Sequence, residues 1–166
     1  MSSSGGQVGG LAGVNTESGA IIESYAAGTV ESEGNFTAGG LVADSVGDDA
    51  SIRDSYATGA VQTGDGAAGG LVGENAGSSI QDSYAAGAVT GNPAGGLVGV
   101  DDGGTVAESF WDEQASEVTE SAGGSGLQPG DFSSEETFPD WSFTTIWTLG
   151  EAPDGITRPI LTWQEP

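Results

Sequence analysis

Small and apolar positions recur along this chain in a fixed order. Gly-Gly-Leu stands at Gly9-Gly10-Leu11, Gly39-Gly40-Leu41, Gly69-Gly70-Leu71 and Gly95-Gly96-Leu97, a period of 30, 30 and then 26 residues. Behind each comes a β-branched residue (Ile21, Ile52, Ile80, Val106), then Ser24-Tyr25, Ser55-Tyr56, Ser83-Tyr84 or Ser109-Phe110, and in three copies a valine, Val30, Val61 or Val89. A period in this range marks a stacked array. Each repeat carries three short β-like segments, around Gly-Gly-Leu-Val, around the Ile, and from Ser-Tyr-Ala to Val, with Gly, Asn, Asp and Ser turn signals between them. No window has helical periodicity.

This pattern predicts an all-β fold, a right-handed parallel β-solenoid of about four coils starting near residues 8, 38, 68 and 94. Like positions then lie above one another, about 4.8 Å apart, and the Leu, Ile and Val rows become buried columns. Each buried aliphatic contributes up to about 2 kcal/mol. Glycines are expected where corners need positive φ or close backbone approach. The short polar row Asn15, Ser45, Asn75, Asp101 is predicted to hydrogen-bond its own backbone in turns. The insertions Ser32–Phe36 and Val46–Asp49 should bulge into solvent.

Two end segments depart from the repeat. Residues 1–7 read as a flexible lead-in. After Phe110 all four tryptophans (Trp111, Trp141, Trp147, Trp163) and five of the six prolines appear, so residues 111–166 are predicted to cap the C-terminal end, with its unpaired strand edges. The N-terminal end has no comparable cover, which predicts further repeats before Met1 in the parent chain.

Composition narrows the setting. The chain has 25 acidic residues against Arg53 and Arg158, with no Lys or His, for a net charge of -23. Self-repulsion at that density opposes a compact state, and molar salt, with a Debye length of about 3 Å, removes most of it. The surface therefore reads as halophilic, and nucleic acid and anionic membranes are excluded as partners. There is no cysteine, no apolar run long enough to span a membrane, and no signal-peptide pattern in this segment.

Gly10-Leu11-Ala12-Gly13, Gly70-Leu71-Val72-Gly73 and Gly96-Leu97-Val98-Gly99, each followed by a Ser-Tyr-Ala-type segment, resemble the GLUG repeat. The second copy has Ala43 in place of the last glycine. The tail segments Ser109-Phe110-Trp111-Asp112, Thr137-Phe138-Pro139-Asp140-Trp141 and Arg158-Pro159-Ile160-Leu161-Thr162-Trp163 are similar to the terminal part of proteins with this repeat. The resemblance implies a secreted or cell-surface, adhesin-like, non-enzymatic role, with a cell-surface glycan or protein as partner. It brings no catalytic motif.

Candidate chemistry is sparse. Without His, Cys or Lys there is no imidazole base, thiolate or amine nucleophile, and no ordinary zinc site. Paired carboxylates could still cleave or bind carbohydrate, although no acid in the sequence has a reason to hold a raised pKa. Glu23, Asp54, Asp82 and Glu108 form a row directly before the repeated serine. Stacked, they would form either a ladder for Ca²⁺ or monovalent cations or, as the reading with more weight, a solvated acidic stripe. No cofactor is expected beyond such ions. Tyr25, Tyr56, Tyr84 and Phe110 form an aromatic row two residues on. Strict alternation makes it an exposed ligand face beside the acids, whereas a corner between acid and serine turns the rings inward to fill the thin core; the second is favoured. The threonine array of an ice-binding solenoid is missing. Asn35-Phe36-Thr37 is a glycosylation sequon in an outward loop. A structural spacer with no ligand is the remaining alternative.

Overall fold

The computed structural model describes residues 1–3 and 6–165. The repeats stack as a parallel β-solenoid of about four coils, and like positions pair in register from coil to coil. Ile21, Ile52, Ile80 and Val106 form one row, and Tyr25, Tyr56, Tyr84 and Phe110 another. Along the leucine column the amides of Leu11, Leu41 and Leu71 donate to the carbonyls of Leu41, Leu71 and Leu97, each at 2.9 Å.

A full coil contributes five short strands, not three. In the second coil these are Ala38–Gly39, Val42–Val46, Ser51–Arg53, Tyr56–Ala57 and Val61–Thr63. The first predicted segment breaks at its glycine pair, where the chain folds back so closely that a Cβ on Gly39 would stand 1.8 Å from the Val42 carbonyl oxygen. Gly40 is equally confined, between the Gly70 carbonyl oxygen at 2.0 Å and the Ala57 Cβ at 2.9 Å. Close backbone approach, and not positive φ, is what these glycines provide.

The interior has two compartments. Leu41, Leu71 and Leu97 pack with Ile52, Ile80, Val42, Val72 and Val98 in the larger one, facing the alanine row Ala26, Ala57 and Ala85. Val30, Val61 and Val89 pack with Val8, Ala38 and Ala68 in the smaller. Between the corners runs a polar column whose side chains bond to one another along the stack and, at Asn75, to Ser78 of the same turn, and not to their own backbone as the sequence suggested. Asn15 Nδ2 donates to Ser45 Oγ at 3.2 Å, Ser78 Oγ donates to Asn75 Oδ1 and stands 2.8 Å from Ser45 Oγ, and Asn75 Nδ2 donates to Asp101 Oδ1 at 2.8 Å. Burial forces this pairing, because an amide shut away from water must find a partner.

At the N-terminal side Ser2–Ser3 pair in parallel with Glu31–Ser32. Of the residues read as a lead-in, 4 and 5 lie outside the described residues. At the other end Trp111 takes the place that alanine holds in the coils before it, and its indole lies over Gly96. Residues 113–127 complete the closure. A short helix, Glu113–Ser116, is capped by Asp112, whose Oδ1 accepts from the amides of Gln114 and Ala115, both at 2.9 Å. Ser121 Oγ accepts from the amides of Leu97 and Val98, and Ser125–Leu127 add a strand beside Phe110–Asp112.

The rest of the predicted cap does not sit on the end. Residues 128–165 run back along the side of the solenoid as a strap, with 3-10 turns at Pro129–Ser133 and Glu135–Thr137 and an antiparallel hairpin of Trp147–Glu151 and Thr157–Leu161. The strap covers all four coils. Trp141 Nε1 donates to the Glu108 carbonyl of the last coil and Trp163 Nε1 to the Glu23 carbonyl of the first.

Candidate functional site

The acid and aromatic rows share one outer face. Glu23, Asp54, Asp82 and Glu108 all adopt positive φ, between 43° and 50°, so the corner lies at the acid itself. Such a conformation is uncommon for residues other than glycine, although Asp tolerates it better than most. The residue that turns inward is the serine that follows. Ser55, Ser83 and Ser109 are buried, and each Oγ accepts from the amide of the serine one coil earlier. Each also donates to the carbonyl two residues back, at 2.7–2.8 Å. The sequence shows this serine in every repeat, and that recurrence is the signal for its ladder.

With serine inside, the next residue points out, and the inward rings expected from the sequence are not found. Alanine supplies the core position instead, because the facing glycines leave no room for a ring. The tyrosines stack outside: Tyr25 on Tyr56 with centroids 5.3 Å apart, Tyr56 on Tyr84 at 4.9 Å with planes within 2°. They are not an open ligand face either. Tyr56 and Tyr84 are completely buried beneath Phe132, Trp141, Trp147 and Leu161 of the strap. The Tyr56 hydroxyl donates to Gln164 Oε1 at 2.9 Å, and that of Tyr84 to the Pro159 carbonyl at 2.8 Å. Burial pushes the Tyr56 hydroxyl up to about 12 and that of Tyr84 well above its ordinary value. Phe110 packs against Phe138 and Trp141. Tyr25, beside the half-exposed Trp163, keeps an open edge at one end of the row, and Phe110 is partly exposed at the other.

The strap also divides the acid row. Glu23 and Glu108 remain exposed, Asp82 is half-buried, and Asp54 is 4% exposed, its Oδ2 held 3.1 Å from Arg53. Burial raises the Asp54 carboxyl, with Arg53 acting against the shift. Asp82 has no cation beside it. Burial first, then the charges of Asp54, Glu108 and Asp140, push it up to about 6. No motif points to this raised acid, because its burial and the approach of Asp140 both come with the strap. Among the described residues no three acidic side chains converge on a point where a metal ion would sit. An open cavity of ≈ 150 Å³ lies at the end of the row, lined by Glu108, Ser109, Phe110 and Ser125 among others.

Asp82→Asn is expected to stabilise the protein near neutral pH. A folded-state value raised above the ordinary 3.8 means that the fold favours the neutral acid. The associated stability is full below that ordinary value and is lost as pH rises through about 6. Asparagine removes the charge and suits positive φ, so the variant should gain about 1 kcal/mol at pH 7.5, allowing for solvent screening of the half-buried carboxylate. Denaturant melts at pH 4 and pH 7.5 check it: the gain should vanish at the lower pH.

The two arginines serve carboxylates on this side of the molecule. Arg53 pairs with Asp54, and Arg158, fully buried in the strap, lies 2.8 Å from Asp112 Oδ2 and 3.0 Å from Asp154 Oδ2. The guanidinium also stands over the Phe132 ring. The pairing of Arg158 is not legible in the sequence, because its partner lies 46 residues earlier, at the turn into the closing segment.

The arrangement supplies packing and charge. Among the described residues no helix is long and apolar enough to cross a membrane. No solved structure matches the chain. A protein of Evansella cellulosilytica with the provisional name of Gly-rich membrane protein is 36% identical over 111 residues, covering 60% of this chain and 13% of that relative. The chain thus spans a small part of the relative's length. The family itself is matched in the third coil, where residues 64–90 fit the GLUG motif.

Proposed function

We propose that this chain is a strap-closed portion of a non-enzymatic repeat protein at the cell surface, extending and displaying that surface in concentrated salt. The observation that carries the reading is the way the chain uses its own aromatic residues. The tyrosine ladder, the only extended aromatic stripe of the repeat, is sealed by residues 128–165, and what faces solvent is mostly short polar and acidic. Contact with a cell-surface glycan or protein would then go through that acidic exterior and its loops. A net charge of -23 on a chain of 166 residues suits high ionic strength.

Circular dichroism across a KCl series, repeated with millimolar CaCl₂ at low KCl, tests this. Molar KCl is expected to restore β-structure, with calcium adding nothing beyond its ionic strength. Folding by millimolar calcium alone would contradict the salt-adapted reading, and would make Glu23, Asp54, Asp82 and Glu108 a cation ladder.

A further inference from the structure

The two ends of the solenoid differ. At the C-terminal end the leucine column finishes at Leu97, completely buried under residues 120–124, which supply Glu120 O, Ser121 Oγ and the Ala122 amide to its strand edge. At the N-terminal end the same column finishes at Leu11, 49% exposed, and the aromatic ladder finishes at Tyr25, 36% exposed, where Tyr56 and Tyr84 are at 0%. The hydrogen bonds between coils run both ways. Leucine amides donate forward, Leu41 to Leu71, while tyrosine amides donate backward, Tyr56 to Ser24 and Tyr84 to Ser55. By that repeat, the Leu11 carbonyl and the Tyr25 amide are offered at the open face.

One slot beyond this face is already filled. Ser2–Ser3 stand in register with Glu31–Ser32, which pair with Gln62–Thr63, and the Glu31 amide donates to the Met1 carbonyl at 2.8 Å. That row therefore begins one coil earlier than the other four. Its first strand is placed where the last strand of a preceding coil belongs, and it stands as a step on the open face, obstructing flush contact with the same face of a second copy.

We propose that the N-terminal face is a docking surface for one further coil of the same repeat, entering with its strands parallel, of which Ser2–Ser3 form the closing strand. The incoming coil places a leucine over Leu11 and an aromatic ring over Tyr25, continuing the contacts that already join the four coils. The proposal rests on the reading of the chain as part of an extended array, and not on its adaptation to salt.

The test is a graft. A second copy of residues 38–61 is placed directly before Ser2 in place of Met1, so that its final valine precedes Ser2 as Val61 precedes Gln62. In molar KCl the melting midpoint is expected to rise by at least about 3 °C, with hydrogen exchange at the Tyr25 amide slowed at least about tenfold. Leu11→Glu should change the midpoint little in the ungrafted chain and abolish the gain in the grafted one. An unchanged midpoint and unchanged Tyr25 exchange would overturn the proposal, as would a gain that survives Leu11→Glu. Concentration-dependent dimerisation of the ungrafted chain, abolished by Leu11→Glu, would also overturn it by identifying a second copy as the occupant. The salt series reads surface charge and the graft reads coil stacking, so either can fail alone.

Discussion

Gly70→Ala should abolish cooperative folding, or lower stability by at least about 3 kcal/mol. The methyl group would stand 2.1 Å from the Gly96 carbonyl oxygen and 2.8 Å from the Ala85 Cβ. Neither neighbour can yield. The carbonyl belongs to the next coil, whose spacing is fixed by hydrogen bonds along every row, and Ala85 is held by its own strand pairing with Ala57 and Trp111. The same collision would recur at Gly40, so the strain comes from the coil and not from one local turn. Gly28→Ala provides the contrast: nothing lies within 4 Å of its added carbon, and φ there is not in the left-handed region. It should leave the unfolding free energy within about 0.5 kcal/mol of the parent. Denaturant melts followed by circular dichroism in molar KCl compare the two.

Arg158→Met should loosen the strap at a cost of about 3–5 kcal/mol. Arg158 and Asp112 are both fully buried and joined at 2.8 Å, so removal of the guanidinium strands a carboxylate in the interior. Asp112 cannot readily turn away, because its other oxygen caps the helix that closes the solenoid. The methionine keeps much of the packing against Phe132 while removing the charge. Tryptophan emission is the appropriate readout, since Trp141 and Trp147 are buried against Tyr84, and it should shift to the red at lower denaturant than the loss of β-structure. Asp112→Asn in the same chain should recover part of the loss, because the stranded charge, and not the missing contact, is the larger cost.

The columns of this fold were legible in the sequence because each rests on a residue type that burial demands. Leu11, Leu41, Leu71 and Leu97 fall in one column, and the β-branched and valine rows pair as their spacing required. The direction of the aromatic row was not legible. It depends on a single backbone angle at the acid, and alternation could not tell whether the serine or the ring follows the corner inward. A core short of large side chains suggests a need for volume, whereas Gly10, Gly40 and Gly70 opposite Ala26, Ala57 and Ala85 bring its walls close together there. The strap was hidden for a different reason. Its contacts to the repeats span long separations, 75 residues for Tyr84 to Pro159 and 140 for Trp163 to Glu23, and residues 128–165 carry no periodicity. Tryptophan and proline there announced a cover, but only the register of the tyrosines shows what it covers. The raised pKa of Asp82 follows from that same placement, because the strap removes water and brings Asp140 close.

The outward tyrosine ladder under its strap is the centre of this account, and proton NMR of the folded chain in molar KCl tests it most directly. Nuclear Overhauser contacts are expected from the Tyr84 ring to the indoles of Trp141 and Trp147, whose centroids lie 6.3 and 6.2 Å away, and from Tyr25 to Trp163 at 5.8 Å. Contacts from those tyrosine rings to the methyl groups of Leu71 and Leu97, with none to the indoles, would place the rings in the core and contradict it.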